Sequence, residues 1–536
     1  MSRGGGAGPR RAAAAAGALA VALAVAATGC GREPAPEADL ILLNARLAPS
    51  DAGAAMRGDG AGAGSAGRAE ASIALAGGRI LAIGDRAAVD RHRGERTGDA
   101  DLGGALVVPG IEDALARPLE SGERRLNEAG GRTIFLDLSA AETEEDAVQR
   151  VRQRARALGP GVWILGSGWD ERRWVVARPP DARLLSDIVQ YNPVFLVRRG
   201  GASAWVNRAA LDAAGLGAIP VPVAGKERIA ILRRAPALTA DERRAAIEAA
   251  LARSVAAGMV AVRAVASTGR LGLEDCAAPP AAVLDPWRDL ARRGRLPVRV
   301  ALLVPAPSAA AEALVAGGPE SYPGGGRLEI RTLLLDATGT GAATEESAAA
   351  GKGADPACGA PAGDGAAWAR RGAAAGFDIA VTARDAAAVD TALEWLAGAR
   401  RARAGTGARL VLGAAVGSAD LAVDALAGAG VEIVIEAGPA EVTAAAALAG
   451  GLRRAGIAVA AGTGADGPLP AALRRFAAGP WTSTLAAGGP ADFLVLPGDA
   501  ASFSSDPDRV SPLAPLAVRV GGVEVYRGGS ASRPPG

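Results

Sequence analysis

The sequence predicts an α/β chain: a (β/α)8 TIM-like barrel with an inserted segment, plus a small β-sandwich formed by N- and C-terminal strands. Three observations carry this expectation. The chain has 536 residues, enough to bury a large core and to hold more than one structural unit. Its body alternates short apolar runs with alanine-rich helical patterns, as parallel strands buried on both faces require. Both ends are β-rich and flank that body.

The first segment, residues 1–29, reads as a targeting leader. Arg3, Arg10 and Arg11 precede the apolar run AAAAAGALAVALAVAA, which is short for a membrane span and ends in small residues. It leads into Ala27-Thr28-Gly29-Cys30, which resembles a bacterial lipobox with Ala27 where Leu is usual. Lipid attachment at Cys30 would place the protein at the bacterial cell envelope, anchored on the exported side of the membrane. An ordinary secretory signal that contains a cysteine is the other reading. Taking three arginines from a net charge of +2 leaves a mature chain at −1. Acids and bases are mixed along it, and no basic block points to nucleic acid. Residues 30–38 form a short extended tether. Only Cys276 and Cys358 remain after it, and both pairing and free thiols stay open.

Residues 39–108 and 489–529 supply the expected sandwich. ADLILLNARL is a strand, and ASIALAGGRILAIG (71–84) is a hairpin around Gly77-Gly78. ADFLVLPG (491–498) and LAVRVGGVEVYRGG (516–529) repeat that character at the other end. Residues 109–488 form the expected barrel, with an insertion at about 128–235. Its strands include MVAVRAV (259–265), VRVALLV (298–304), LEIRTLLLDA (328–337), FDIAVTA (377–383), RLVLGAA (409–415), VEIVIEA (431–437) and IAVAAGT (457–463). Between them lie helices such as 239–258, where Thr239 and Glu242 form a capping box. Residues 338–367 are a low-complexity loop. Its Gly-rich start lacks the GK[ST] ending of a phosphate loop.

Taken in order, these segments resemble the amidohydrolase superfamily, in its YtcJ-like branch with the N-substituted formamide deformylases. DLGGALVVPGIEDA, WILGSGWDERRW, PDARLLSDIVQYNPVFLVRR, SAWVNRAALDAAGL and GFDIAVTARDAAAVD carry the resemblance. It implies a hydrolase of C–N bonds other than peptide bonds, using zinc or another divalent metal held by several histidines.

This chain has one histidine, His92. It lies in a polar stretch beyond the first hairpin and reads as a solvated surface residue. In the family frame, Leu115 and Arg117 stand at the His-x-His pair, and neither donates a lone pair to a metal. Ala202, Thr332, Thr382, Leu412 and Gly464 stand at the other expected positions, and Arg263 replaces a further histidine. The resemblance therefore implies a folded barrel with no metal ligands, no catalytic set and no cofactor. Asp113, Arg117, Arg263, Asp336, Arg384 and Asp385 fall near strand ends. Converging arginines would make a pocket for a small anionic molecule, since guanidinium forks suit carboxylates and phosphates. Pairing of those arginines with nearby aspartates is the other outcome. Trp169 and Asp170 are either a wall of the cleft or ordinary core. Three functions follow: a metal-free pseudoenzyme that binds a small ligand or partner, a C–N hydrolase with non-standard ligands, or a structural envelope lipoprotein.

Overall fold

The computed structural model describes residues 36–47, 70–128, 135–199, 203–268, 278–322, 327–337, 365–413, 416, 421–437, 441–463, 485–497 and 515–528. Cys30, Cys276 and Cys358 lie outside them.

Strands from both ends build one sheet. β1 (Leu40–Leu47), β2 (Glu70–Ala76), β3 (Arg79–Gly84), β4 (Gly98–Asp101) and β5 (Leu106–Pro109) come from the N-terminal part. The next strand, β6 (Ile111–Ala116), already belongs to the barrel. The inserted segment holds β7 (Phe135–Asp137), β8 (Ile164–Trp169), β9 (Val194–Arg198) and β10 (Ala204–Val206) as a separate sheet, ordered β10-β9-β8-β7. The barrel resumes with β11 (Met259–Val265) and β12 (Arg299–Pro305). A short β13 (Glu320–Tyr322) pairs antiparallel with β14 (Leu328–Asp336). Then come β15 (Asp378–Ala383), β16 (Ala408–Gly413), β17 (Glu432–Glu436) and β18 (Val459–Gly462). β19 (Phe493–Leu496), β20 (Ala517–Val520) and β21 (Val523–Arg527) return to the first sheet, in the order β21-β20-β19-β5-β1-β2-β3.

That first sheet curls on itself. The amide of Ile80 on β3 donates to Gly489 O, and Ala491 N donates to Gly78 O, just ahead of β19. The expected sandwich is thus one sheet wrapped around Leu42, Ile73, Leu75, Val107, Phe493 and Val495. Its Gly77-Gly78 and Gly521-Gly522 turns all have positive φ, as two-residue hairpins of the right twist need.

Eight parallel strands make a nearly closed barrel in the order β18-β17-β16-β15-β14-β12-β11-β6. Apolar residues on their outer faces pack against the surrounding helices in the largest core. The helix Ala240–Ala256 starts at the capping box read from the sequence: Glu242 N donates to Thr239 Oγ1, and Thr239 N donates to Glu242 Oε2. A buried ion pair joins barrel to sheet. Arg299 Nε, at the start of β12, lies 2.6 Å from Asp492 Oδ2, and Gly521 N donates to Asp492 Oδ1.

Candidate functional site in the barrel

Side chains alternate along each strand between lumen and helix layer, so inward positions recur every second residue and stack in levels. Three levels result, and they differ in chemistry.

The middle level is apolar. Leu115, Val265, Leu303, Leu334, Val411 and Val434 form a buried plug with alanines from β6, β15 and β18. Leu115 lies against Gly462 of β18. A Cβ there would come within 2.5 Å of Leu115 N, so glycine is what lets the first and last strands approach. No ladder pair joins β6 to β18 among the described residues. Side chains cross that seam instead. Asp113 accepts Thr463 Oγ1–H at 2.8 Å, Thr463 N–H at 3.1 Å and Leu115 N–H at 3.1 Å. Burial pushes the Asp113 carboxyl up to about 7, against the pull of the three hydrogen bonds and with a push from Glu112.

The lower level is charged. Two residues before the plug on four strands stand Glu112, Arg263, Arg409 and Glu432. Arg263 Nε is 2.6 Å from Glu112 Oε1, a close but poorly aligned ion pair, and its Nη1 donates to Glu432 Oε1 at 2.7 Å. Arg409 Nε donates to Glu432 Oε2 at 2.8 Å, and its Nη1 reaches Thr332 Oγ1 at 3.5 Å. Glu112 and Arg263 are almost wholly buried. Burial raises the Glu112 carboxyl despite the Arg263 charge beside it. Glu432 is also penalised by burial, but Arg263 and Arg409 together hold it below its ordinary value.

The upper level, at the C-terminal strand ends, is polar. It carries Asp336, Thr382, Gly413, Glu436 and Gly462 as the next inward positions. Arg384, just past β15, bridges Asp336 Oδ2 and Glu436 Oε2, each at 3.3 Å, in a partly exposed triad. The Thr382 side chain is buried, and its hydroxyl makes no hydrogen bond among the described residues.

Of the residues singled out by sequence, the structure brings Arg384 and Asp336 together. It does not bring the arginines together. Arg263 lies below the plug and is matched by Glu112 and Glu432, whereas Arg384 lies above it. Arg117 follows β6, is half-buried, and its guanidinium has no partner among the described residues. Asp385 caps the helix Ala386–Ala402 by accepting Ala388 N–H. Trp169 is core of the insert: its ring packs 6.0 Å from Trp174 and 6.3 Å from Trp205, and its Nε1–H donates to Leu196 O. Asp170 caps the short turn Glu171–Arg173 and pairs with Arg172, which holds its carboxyl below the usual range. Leu412 faces outward into the helix layer. The inward neighbours on β16 are Val411 and Gly413, so the sequence frame is one residue out on that strand. Ala202 and Gly464 lie outside the described residues. Glu112, Arg409, Glu432 and Glu436 were missed. A period-two signal marked three of them: E432-V434-E436 and R409-V411-G413 place charges on the inward face of apolar strands, whereas Glu112 has no such mark.

A divalent ion needs several lone-pair donors in one shell. At the positions where the resemblance puts them stand an apolar side chain packed into the plug, Leu115, a cation, Arg117, and the neutral hydroxyls of Thr332 and Thr382. His92 is elsewhere, its Nδ1 3.0 Å from Pro36 O in the first sheet's periphery. Among the described residues, those standing at these positions do not fit a metal.

The fold is a parallel (β/α)8 barrel with a composite sheet, the architecture of metal-dependent hydrolases. The sequence profile described as "Amidohydrolase family" matches residues 127–473, and the chain belongs to that family. Curated relatives include the protein LONG AFTER FAR-RED 3 of Arabidopsis thaliana, 34% identical over 27% of this chain and 23% of that protein. The putative amidohydrolase YtcJ of Bacillus subtilis is 29% identical over 24% of this chain and 22% of that protein. The N-substituted formamide deformylase of Arthrobacter pascens is 29% identical over 29% of this chain and 28% of that protein. The chain thus aligns with about a quarter of each relative's length. Among solved structures, an uncharacterized metal-dependent hydrolase from Pyrococcus horikoshii has a TM-score of 0.54 at 17% identity, covering 79% of this chain and 82% of its own. A similar protein from Pyrococcus furiosus has a TM-score of 0.52 at 19% identity, covering 79% and 85%. These likenesses concern the fold.

Proposed function

We propose that this chain is a metal-free pseudoenzyme of the amidohydrolase family that binds a small charged molecule at the barrel mouth. One observation carries the reading. Leu115 is packed into an apolar plug at the end of the first barrel strand, where the family frame calls for a histidine ligand. Water activation by a bound ion, which lowers the pKa of water to about 7, has no donor set there. What the mouth offers is the Asp336–Arg384–Glu436 triad and the Thr382 hydroxyl. A carboxylate or phosphate would exchange against Arg384, and an amine against the two carboxylates.

We propose further that Cys30 is lipidated and holds the mature protein at the bacterial cell envelope. Labelling with a radioactive fatty acid, lost in Cys30→Ser, tests this.

The functional test uses the purified chain with zinc added and N-acyl amine and formamide substrates. The expected result is no turnover and no stoichiometric metal. Turnover with bound metal would establish a C–N hydrolase with non-standard ligands and sink the pseudoenzyme reading. Thermal-shift screening with small carboxylates, phosphates and amines then identifies the ligand, since a ligand that binds only the folded state raises Tm. A silent screen favours the structural role.

A further inference from the structure

We infer that Arg263 is a built-in cation of the barrel interior: its guanidinium supplies the positive charge that the buried carboxylate of Glu112 and the partly buried one of Glu432 demand, so the folded barrel depends on no bound metal ion. The inference rests on the reading of the chain as metal-free, but on different atoms from the mouth site.

Arg263 sits midway along β11, in a strand whose other residues are all apolar, and only 2% of it is exposed. A long charged side chain at such a position is costly unless its charge is met. Its neighbours meet it from two sides. Glu112 is on the adjacent strand β6, and Glu432 is on β17, beyond β18 in the strand order. One guanidinium therefore reaches across the seam between β6 and β18, where no backbone ladder is found among the described residues. Arg409 on β16 shares Glu432, and its contact with Thr332 carries the set to β14. The fork geometry of arginine suits this task, since one planar group can face two carboxylates at fixed angles and keeps its charge at any ordinary pH.

The plug above explains why a free ion is not an equivalent solution. Leu115, Val265 and Val434 close the lumen over this level, so an ion at the barrel mouth does not reach it, whereas the Arg263 guanidinium is held there by its strand. Glu112 has the most at stake. It is buried as deeply as Arg263, and no other cation forms an ion pair with it among the described residues. Glu432 keeps Arg409 and is partly exposed.

The test compares melting temperatures of the purified full chain and two variants, with and without excess EDTA. Arg263→Met should lower Tm by about 3–5 °C, because it strands a buried carboxylate. Glu112→Gln combined with Arg263→Met should regain most of that loss, because it removes the stranded charge. EDTA should leave the wild type unchanged. If Arg263→Met does not fold, recovery of folding by the double variant is the supporting result. A variant Arg263→Met as stable as wild type, a double variant no better than the single, or a wild type that EDTA destabilises would each overturn the inference. Amide turnover unaffected by EDTA would defeat the proposed function and leave this inference standing.

Discussion

Asp113 on the first barrel strand accepts two hydrogen bonds from Thr463, the residue directly after the last, at 2.8 and 3.1 Å. This contact spans the seam that the strand ladder leaves open, and it does so with a carboxyl raised to about 7 by burial. The sign of the pH dependence follows. Between an ordinary value near 3.8 and the folded value near 7, the folded chain holds a proton that the unfolded chain has lost. Stability from this group is therefore greatest below the unfolded value and falls as pH rises through that window. The drop is on the order of 4 kcal/mol at most. Asp113→Asn should flatten it: the gap in Tm between pH 5 and pH 8, measured for both proteins, should shrink in the variant.

Gly462→Ala tests the close approach of β18 to β6. The new methyl would meet the backbone amide of Leu115 at about 2.5 Å as well as its side chain. Overpacking of this kind costs about 1–3 kcal/mol. Because the obstacle includes backbone, adding Leu115→Ala should not restore the loss. Chemical denaturation of the single and double variants measures both.

Arg384→Ala separates stability from binding. Its ion pairs with Asp336 and Glu436 are long and partly exposed, and such pairs contribute about 0–1 kcal/mol. Tm should hardly move. Binding of an anionic ligand identified by thermal shift should be lost. Retained affinity by titration calorimetry would place that ligand elsewhere.

Trp169→Phe probes the insert alone. The smaller ring keeps part of the contact with Trp174 and Trp205, and the buried Leu196 carbonyl loses its indole donor. Leu196 keeps its strand pairing with Trp205, so loss of the indole bond costs about 0.5–1.5 kcal/mol. Denaturant unfolding followed by tryptophan fluorescence should show this loss.

The barrel was legible because its strands are apolar runs of even length, and MVAVRAV, FDIAVTA and VEIVIEA all fall where strands form. The capping box at Thr239 was legible because its partner is three residues away. The pairing within the charged level was not, because Glu112, Arg263 and Glu432 are far apart in sequence and meet only when the sheet curls. Each alone reads as an interruption of an apolar strand. The position of Leu412 shows a second limit. A family frame transferred along a short strand can slip by one residue, and on a strand one residue reverses the face.

The shared sheet of the two chain ends orders events during synthesis. Leu106, Val107, Val108 and Pro109 of β5 pair with Leu496, Val495, Leu494 and Phe493 of β19, strands made early and late. Until residues 493–496 leave the ribosome, β5 keeps a bare edge that invites pairing with other chains. A nascent chain halted before residue 491 holds a barrel's worth of strands but an unsealed flank. Its closing pairs are among the most distant in sequence, the kind that form slowly. Chains released early should therefore aggregate through this flank, and a separately supplied peptide covering 488–528 is the natural agent to seal it.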